Sequence, residues 1–274
     1  MDATPALTES MSRSSIRRLS SRQILWASVL AVWVGWEFFA AFDVYLKDVF
    51  PSSFFVLATL GSFLSTSAFY AHASTTMLEI VVAFLIGSSI GVAAGICMGA
   101  WRPLGQAAEP YVSALMATPR IIWFPVSLMI FGSGIGSKVA LGAMGAFFPA
   151  VLYTYAGMLA VRPIYKNVAT VFQISPAGMV TKVYIPSILR PVLIGSQIGL
   201  GVCITPILLA EMKSSSIGLG HLIMNYYINF QITEMYAVLT FVFVFIVVIN
   251  FLMTRLIRFA SKGTVLRHPE GHTE

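Results

Sequence analysis

Residues 80–101 read IVVAFLIGSSIGVAAGICMGAW and carry no charged side chain, although Glu79 and Arg102 flank them directly. As an α-helix, a stretch of this length rises about 33 Å, which matches the ~30 Å hydrocarbon core of a bilayer. A soluble helix would show a polar face recurring every 3.6 residues, and this stretch shows none. The stretch therefore predicts a helix that crosses a membrane.

Three more windows have the same character, at 139–161, 191–210 and 235–254, and each is flanked directly by a charged residue. Across all 274 residues, 57% are apolar and only 10% are charged, whereas a soluble domain has about 25% charged residues. Composition and charge placement together predict an integral membrane protein.

Two further spans are less regular. Residues 23–42 carry one acid, Glu37, and residues 110–131 carry Arg120 and three prolines, which indicates a broken helix. The predicted fold is an all-α, polytopic membrane helix bundle with about six transmembrane helices. The predicted segments are a basic tail at 1–22, a membrane domain at 23–260 with spans at about 23–42, 77–100, 110–131, 138–160, 188–210 and 233–256, and a tail at 261–274.

The segment 49–78 also lacks charge and could be counted as a seventh span. Ten of its thirty residues are Ser or Thr, and an odd number of spans would invert every later loop. We therefore interpret it as an outer loop with a short interfacial helix around 53–66. The first span follows an Arg- and Ser-rich tail without a small-residue cleavage site, so we expect it to be retained rather than removed as a signal peptide.

Basic residues are distributed unevenly between the two sides of this predicted topology. With the N-terminus inside, the outer segments hold only Lys47, Lys138 and Lys213, and thirteen Lys and Arg residues fall in cytoplasmic segments. This positive-inside bias predicts that both termini are cytoplasmic. The net charge of +6 thus follows from topology and does not indicate a nucleic-acid partner.

Enzyme and metal sites are poorly supported by the sequence. The four histidines lie apart, without metal-ligand spacing, and no acid cluster falls within a span. No Walker-type phosphate loop is present, so we expect no ATP site in this chain. Glycines recur every fourth residue at Gly87, Gly91, Gly95 and Gly99, which predicts a face for close helix packing.

The longest inner segment is 161–187, VRPIYKNVATVFQISPAGMVTKVYIPS, and its apolar residues recur at helical spacing. Ser175-Pro176 is typical of a cap followed by a helix start. We predict two short amphipathic helices, which either pack on the bundle or offer a dock for a cytoplasmic partner. The apolar residues are Val168, Val171, Phe172, Met179, Val180, Val183 and Tyr184.

This segment resembles the EAA loop of permease subunits from binding-protein-dependent ABC importers. That pattern has Glu-Ala-Ala, then a Gly, and finally a Pro preceded by an aliphatic residue. Asn167-Val168-Ala169 stands at the first three positions, Gln173 at the Gly and Ile185-Pro186 at the end. The spacing and the Pro are kept, whereas the Glu, the first Ala and the Gly are replaced. The resemblance implies that the ATPase-coupling residues are Asn167, Val168, Ala169, Phe172, Gln173 and Pro186.

The resemblance extends over roughly 51–260 and is to the nitrate/sulfonate/taurine-type branch of these permeases. It rests on stretches in the same order and spacing, including FLIGSSIGVAAGICMG, EPYVSALMATPRIIWFPVSLMIFGSGIGSK and AEMKSSSIGLGHLI. It implies a type I permease fold in a bacterial inner membrane and pairing with a second permease copy. It also implies two cytoplasmic ATPase subunits, which hold ATP and Mg²⁺, and a periplasmic substrate-binding protein.

Arg120 is the charged residue that interrupts the broken span, and charge at such depth usually faces a cavity or a partner. One interpretation is that it lines a translocation path and binds an anionic group. The other is an internal ion pair with Glu79, which stands where the family often has a basic residue. Together with Arg120, the candidate path residues are Trp123, Met116, Phe147 and Tyr153.

The sequence therefore predicts the non-catalytic permease subunit of an ATP-driven importer for a small solute. Arg120 favours an organic anion of the sulfonate, taurine, nitrate or carboxylate class. The alternative is a stand-alone secondary transporter or channel, which should show an internal repeat or paired acids in mid-membrane. Neither feature is evident in the spans.

Overall fold

The computed structural model describes residues 20–41 and 49–262, which form two compact units, up to Phe54 and from Phe55 onward. In the first unit, helix α1 runs over Ser21–Ala41. The indole Nε1 of Trp36 donates to the backbone oxygen of Pro51 at 3.0 Å. Glu37 accepts a hydrogen bond of 2.8 Å from the backbone N–H of Ser53, so the acid of this span holds the start of the next helix.

The remaining described residues are helical nearly throughout. Helix α2 is Ser53–Leu64, α3 is Ser67–Ala100, α4 is Arg102–Ala117, α5 is Phe124–Phe131, α6 is Ile135–Leu159, α7 is Pro163–Val171, α8 is Pro176–Met179, α9 is Ile185–Ser214, α10 is Leu219–Ile228 and α11 is Ile232–Lys262. A 3₁₀ turn, Arg120–Trp123, precedes α5, and a π-helical stretch, Val180–Tyr184, precedes α9.

The helices that are long and apolar enough to cross a membrane agree with the predicted bundle. Five single helices of the described residues meet this condition, and the count is six when the bent pair α4 and α5 is taken as one span. The polytopic all-α architecture is thus confirmed. In the second unit, α3, α6 and α9 form the centre, with apolar residues of all three in one buried cluster around Ile80, Ala146 and Ile204.

Close packing of α3 on α6 depends on the glycine ladder, as predicted. A Cβ added to Gly91 would lie 2.6 Å from the backbone oxygen of Phe147, and one added to Gly95 would lie 2.6 Å from that of Val151. Contacts this short with main-chain atoms leave no room for a methyl group, so the ladder sets the distance between the two helices.

Gly95→Ala is therefore expected to destabilise the bundle by about 1–3 kcal/mol, the usual cost of overpacking a core. The added Cβ would also lie 2.7 Å from the Cβ of Thr154, which cannot move without shifting α6. Gly201→Ala is the matched control, because a Cβ there meets nothing within 4 Å. Thermal unfolding of the two purified variants checks this, and equal melting temperatures would contradict it.

Helix α3 begins at Ser67, so the predicted start of the second span at residue 77 is wrong. The predicted short helix around 53–66 is present as α2, but residues 67–76 are helix rather than loop. Ser and Thr fit into this helix because their hydroxyls donate to carbonyls of the preceding turn. Thr75 Oγ1, for example, donates to the backbone oxygen of Ala71 at 3.0 Å.

The predicted broken helix is present, but it begins earlier than predicted, at Arg102, and its two halves meet at 91°. The chain is extended at Thr118 and Pro119 between the halves. A Pro disfavours the helical conformation of the residue before it, which explains why α4 ends at Ala117. The bend places Arg120 in the turn between two helices rather than within one.

Candidate functional site

The predicted inner loop, residues 161–187, contains one short amphipathic helix, α7, where the sequence predicted the first of two. Ala169 is 1% exposed, whereas Val171 and Phe172, at and just beyond its end, are 78% and 74% exposed. Pro163 opens the helix at a position where a backbone N–H is not needed. The segment α7–Phe172 thus packs one side on the bundle and presents apolar side chains on the other.

The second predicted amphipathic helix is corrected by the structure. A helix does start at Pro176, as predicted, but it is not a separate element. It passes through the π-helical stretch Val180–Tyr184 and continues without a break into α9. Met179 and Ile185, on either side of that stretch, both have right-handed helical dihedrals. The segment 161–187 therefore consists of α7 and an extension of the membrane span α9.

Gln173 ends α7 in a left-handed conformation, with φ of 50°. The backbone N–H of Ile174 donates to the oxygen of Ala169 at 3.0 Å, which is the bond that closes a Schellman motif around a left-handed residue. In the EAA loops that this segment resembles, the corresponding residue is Gly. Gly lacks a Cβ and therefore adopts a left-handed conformation without strain. The turn is thus formed here with Gln in place of Gly.

Gln173→Gly is expected to stabilise this turn, because Gly removes the roughly 1–2 kcal/mol that a left-handed L-residue costs. Part of that gain is offset by the greater freedom of Gly in the unfolded chain. Gln173→Val is expected to destabilise the turn, since a β-branched residue is least compatible with a positive φ. Hydrogen exchange of the amides around Ile174 checks both, and the same exchange rates in Gly and Val variants would contradict the assignment.

The other predicted coupling residues lie along the same segment. Asn167 and Val168 are exposed on α7, and Pro186 lies in the first turn of α9. Val168 and Pro186 both line a cavity between these elements. Their role in coupling to an ATPase remains a prediction.

Arg120 lies in the 3₁₀ turn between α4 and α5, which contacts both α6 and α9. Its Nη2 donates to the backbone oxygen of Met116 at 2.9 Å, and its Nε is buried without a hydrogen-bond partner. No acidic side chain within residues 20–41 and 49–262 pairs with it. The guanidinium thus retains donors that the described part of the chain leaves unused.

The predicted ion pair of Glu79 with Arg120 is corrected by the structure. Glu79 lies instead 3.6 Å from the ammonium group of Lys138, and both side chains are buried. Lys138 starts the neighbouring span α6 at the same level, whereas Arg120 lies beyond the bend at the end of α4. Of the two interpretations of Arg120, only the path role remains as a proposal.

The candidate path residues fall into two groups. Arg120, Met116 and Trp123 belong to the bend, where the hydrogen bond joins the first two. Phe147 and Tyr153 lie on α6: Phe147 packs against the apolar cluster around Met98 and Val151. Tyr153 lines a cavity of about 290 Å³ between α4 and α6, together with Glu109 and Ser113.

A buried polar cluster, comprising Thr76, Glu79, Lys138 and Glu211, lies where α3, α6 and α9 meet. Glu211 is fully buried and accepts from Thr76 Oγ1 and from the backbone N–H of Gly220, both at 2.7 Å. The ammonium group of Lys138 also donates to the backbone oxygens of Ser133 and Gly134. The cluster therefore fixes the turn before α6 and the start of α10 against the end of the bundle.

The sequence does not identify this cluster as a unit, although it contains a signal for it. Glu79, Lys138 and Glu211 are the residues that directly flank the charge-free windows 80–101, 139–161 and 191–210. Under the predicted topology all three lie at the outer level. Buried charges near membrane level are expected to find one another, because an unpaired one is costly.

Comparison with known proteins places this geometry in a family. Residues 87–265 match the pattern of the binding-protein-dependent transport system inner membrane component. The chain is 26% identical over 202 residues to the putative aliphatic sulfonates transport permease protein SsuC of Bacillus subtilis, covering 74% of this chain and 72% of that protein. It is 28% identical over 152 residues to the nitrate import permease protein NrtB of Synechococcus elongatus, covering 56% of this chain and 54% of that protein.

The fold is similar to that of a solved transporter. An inward-facing structure of the MetNI methionine ABC transporter matches 69% of this chain and 94% of its own, with a TM-score of 0.62 and 21% identity. The chain therefore belongs to the family of inner membrane components of binding-protein-dependent transport systems, and it has the fold of type I ABC importer permeases.

Proposed function

We propose that this permease subunit imports a small solute with energy from two ATPase subunits that dock on α7. The observation that carries the proposal is the exposed apolar pair Val171 and Phe172 at the end of that helix. An apolar face on a short helix outside the predicted membrane spans favours a protein partner, because water is a poor environment for it. The proposal predicts that the tagged chain co-purifies with ATPase subunits.

In this mechanism the chain itself hydrolyses nothing. ATP and Mg²⁺ belong to the ATPase subunits, and their closure moves α7. Because α8 and the π-helical stretch continue into α9, displacement of the inner loop is transmitted directly to a membrane span. The bundle then alternates between inward-open and outward-open states. A periplasmic binding protein delivers the solute to the outward-open state.

The same proposal includes the assembly and its orientation. Two copies of the permease pair in the inner membrane, so that each contributes a bend with Arg120 to the path. Both termini lie in the cytoplasm, which is supported by the uneven distribution of Lys and Arg. The mass of the purified complex and the accessibility of tags at either end test these points separately.

The proposed substrate is a small organic anion. Arg120 supports this because its guanidinium has unused donors and no acidic partner within the described residues. A guanidinium presents a planar fork of donors that fits sulfonate and carboxylate groups. The names of the relatives, a sulfonates permease and a nitrate permease, support the same charge class.

Arg120→Gln is expected to lower anion uptake at least tenfold while the assembled complex is recovered in normal amounts. The Gln side chain keeps hydrogen-bond donors but loses the charge and the planar fork, and Arg120→Lys should retain part of the activity. Uptake per assembled complex in membrane vesicles is the measurement. Unchanged uptake, or loss of the protein without loss of specific uptake, would refute a path role.

A further inference from the structure

A cavity of about 500 Å³ lies between the end of α6, helix α7 and the start of α9. Its walls include Gly157, Val161, Ala169, Val183 and Pro191, and Val161 and Ala169 are buried. The volume falls in the range of ligand cavities, roughly 300–1,000 Å³, and the lining is mainly apolar as such sites are. Three of the predicted coupling residues, Val168, Ala169 and Pro186, are among the residues that line it.

Two cations, Arg162 and Lys182, lie at the same cavity. Both are exposed, and no acidic side chain pairs with either within the described residues. The sequence from residue 110 to residue 210 contains no Asp or Glu at all. A ligand that neutralises this site must therefore be an anion supplied from outside this part of the chain.

The combination of apolar walls and two cations selects an amphiphile over a simple anion. A small anion would use the charges but leave the apolar walls in contact with water. The cavity also lies where two predicted membrane spans, α6 and α9, end on the proposed cytoplasmic side. Basic pockets between helices at that level bind the headgroups of anionic lipids.

The cavity is distinct from the proposed ATPase-docking side of α7. Val171 and Phe172, the exposed apolar pair, are not among the residues that line it. The exposed apolar pair and the lining of the cavity therefore have no residue in common.

We propose that this cavity binds an anionic phospholipid of the inner leaflet. An acyl chain packs on the apolar wall, and the phosphate contacts Arg162 and Lys182. The lipid fills the space beneath α7 and supports the position from which that helix contacts its partner. The inference rests on the proposed function for the orientation of the chain in the membrane.

The test measures phospholipid binding by native mass spectrometry on the full-length chain, purified with the subunits that accompany it. Phosphatidylglycerol is expected to bind selectively over phosphatidylcholine. Arg162→Gln with Lys182→Gln should weaken phosphatidylglycerol binding roughly thirtyfold, as two juxtamembrane charges imply. Arg190→Gln is the matched control, because Arg190 is exposed near the start of α9 but does not line the cavity.

A second variant tests the apolar wall without changing charge. Ala160 lines the cavity at the end of α6, and Ala160→Trp should fill the space and weaken phosphatidylglycerol binding. Equal binding of the two lipids, or an Arg190→Gln effect as large as that of the double variant, would overturn the proposal. So would complete competition by soluble glycerol phosphate, which would indicate a site for free phosphate compounds.

Two further outcomes separate this inference from the proposed function. If the double variant loses ATPase subunits while lipid binding is unchanged, the cavity belongs to the ATPase interface and the lipid proposal is wrong. If selective lipid binding is found but uptake needs no ATP, the proposed function fails and the lipid site stands.

Discussion

Lys138→Met is expected to destabilise the bundle by about 3–5 kcal/mol, the usual cost of removing one partner from a buried ion pair. The change leaves Glu79, which is fully buried, without its cation. It also removes the donor to the carbonyls of Ser133 and Gly134 in the turn before α6. Thermal or denaturant unfolding in a fixed lipid or detergent environment measures the loss.

The double variant Lys138→Met with Glu79→Met is the matched control for this prediction. It removes both charges together, and replacing a buried pair by apolar side chains is often neutral or stabilising. We therefore expect the double variant to regain most of the lost stability. A double variant as unstable as Lys138→Met alone would show that the Lys138 contacts to the turn, rather than the ion pair, determine the effect.

Val171→Asp with Phe172→Asp is expected to abolish co-purification of ATPase subunits. An aromatic anchor at an interface commonly contributes 2 kcal/mol or more to binding, and here two apolar anchors become charged. Both side chains are mostly exposed in the chain described here, so the substitutions should leave the fold intact. The amount of ATPase recovered per tagged permease is the measurement.

Phe230→Asp provides the control for this pair. Phe230 is 86% exposed and has φ of 55°, a conformation that Asp tolerates. It lies just beyond α10, outside the inner loop. Normal ATPase recovery with Phe230→Asp and none with the inner-loop pair is expected, whereas equal recovery from both would place the ATPase contact elsewhere.

The positions of the membrane helices follow from sequence because charged side chains are costly in the bilayer core, so that long charge-free windows mark the spans. The window 191–210 lies within α9, and the windows 80–101 and 139–161 extend beyond the ends of α3 and α6 by only one and two residues. The glycine ladder also predicts the close packing of α3 on α6, since a four-residue repeat brings small residues to one helix face. These features depend on local composition and spacing alone.

Other features depend on three-dimensional contacts that spacing does not specify. The sequence suggested Arg120 as the partner of Glu79, and only the fold shows that Lys138 is the neighbour. The start of α3 was missed because Ser and Thr favour both loops and helices that return hydrogen bonds to the backbone. The continuity of α8 with α9 depends on the π-helical stretch at Val180–Tyr184, which no local pattern indicates.

The turn after α7 is formed although the EAA-like pattern lacks its Gly. Gly is usual at the end of a helix that closes in this way, so its replacement by Gln173 pointed to a turn of another shape. The structure keeps the turn by placing Gln173 in the left-handed region, so the backbone shape is retained although the residue has changed. Spacing was therefore a better guide to this loop than residue identity.

The central claim, that this permease subunit is driven by ATP through α7, is tested most directly by uptake into proteoliposomes. The chain is reconstituted with its ATPase subunits and binding protein, and solute uptake is measured with and without ATP. We expect uptake only with ATP and none with Val171→Asp and Phe172→Asp. Equal uptake by the chain alone, without ATP, would contradict the account and indicate a stand-alone transporter or channel.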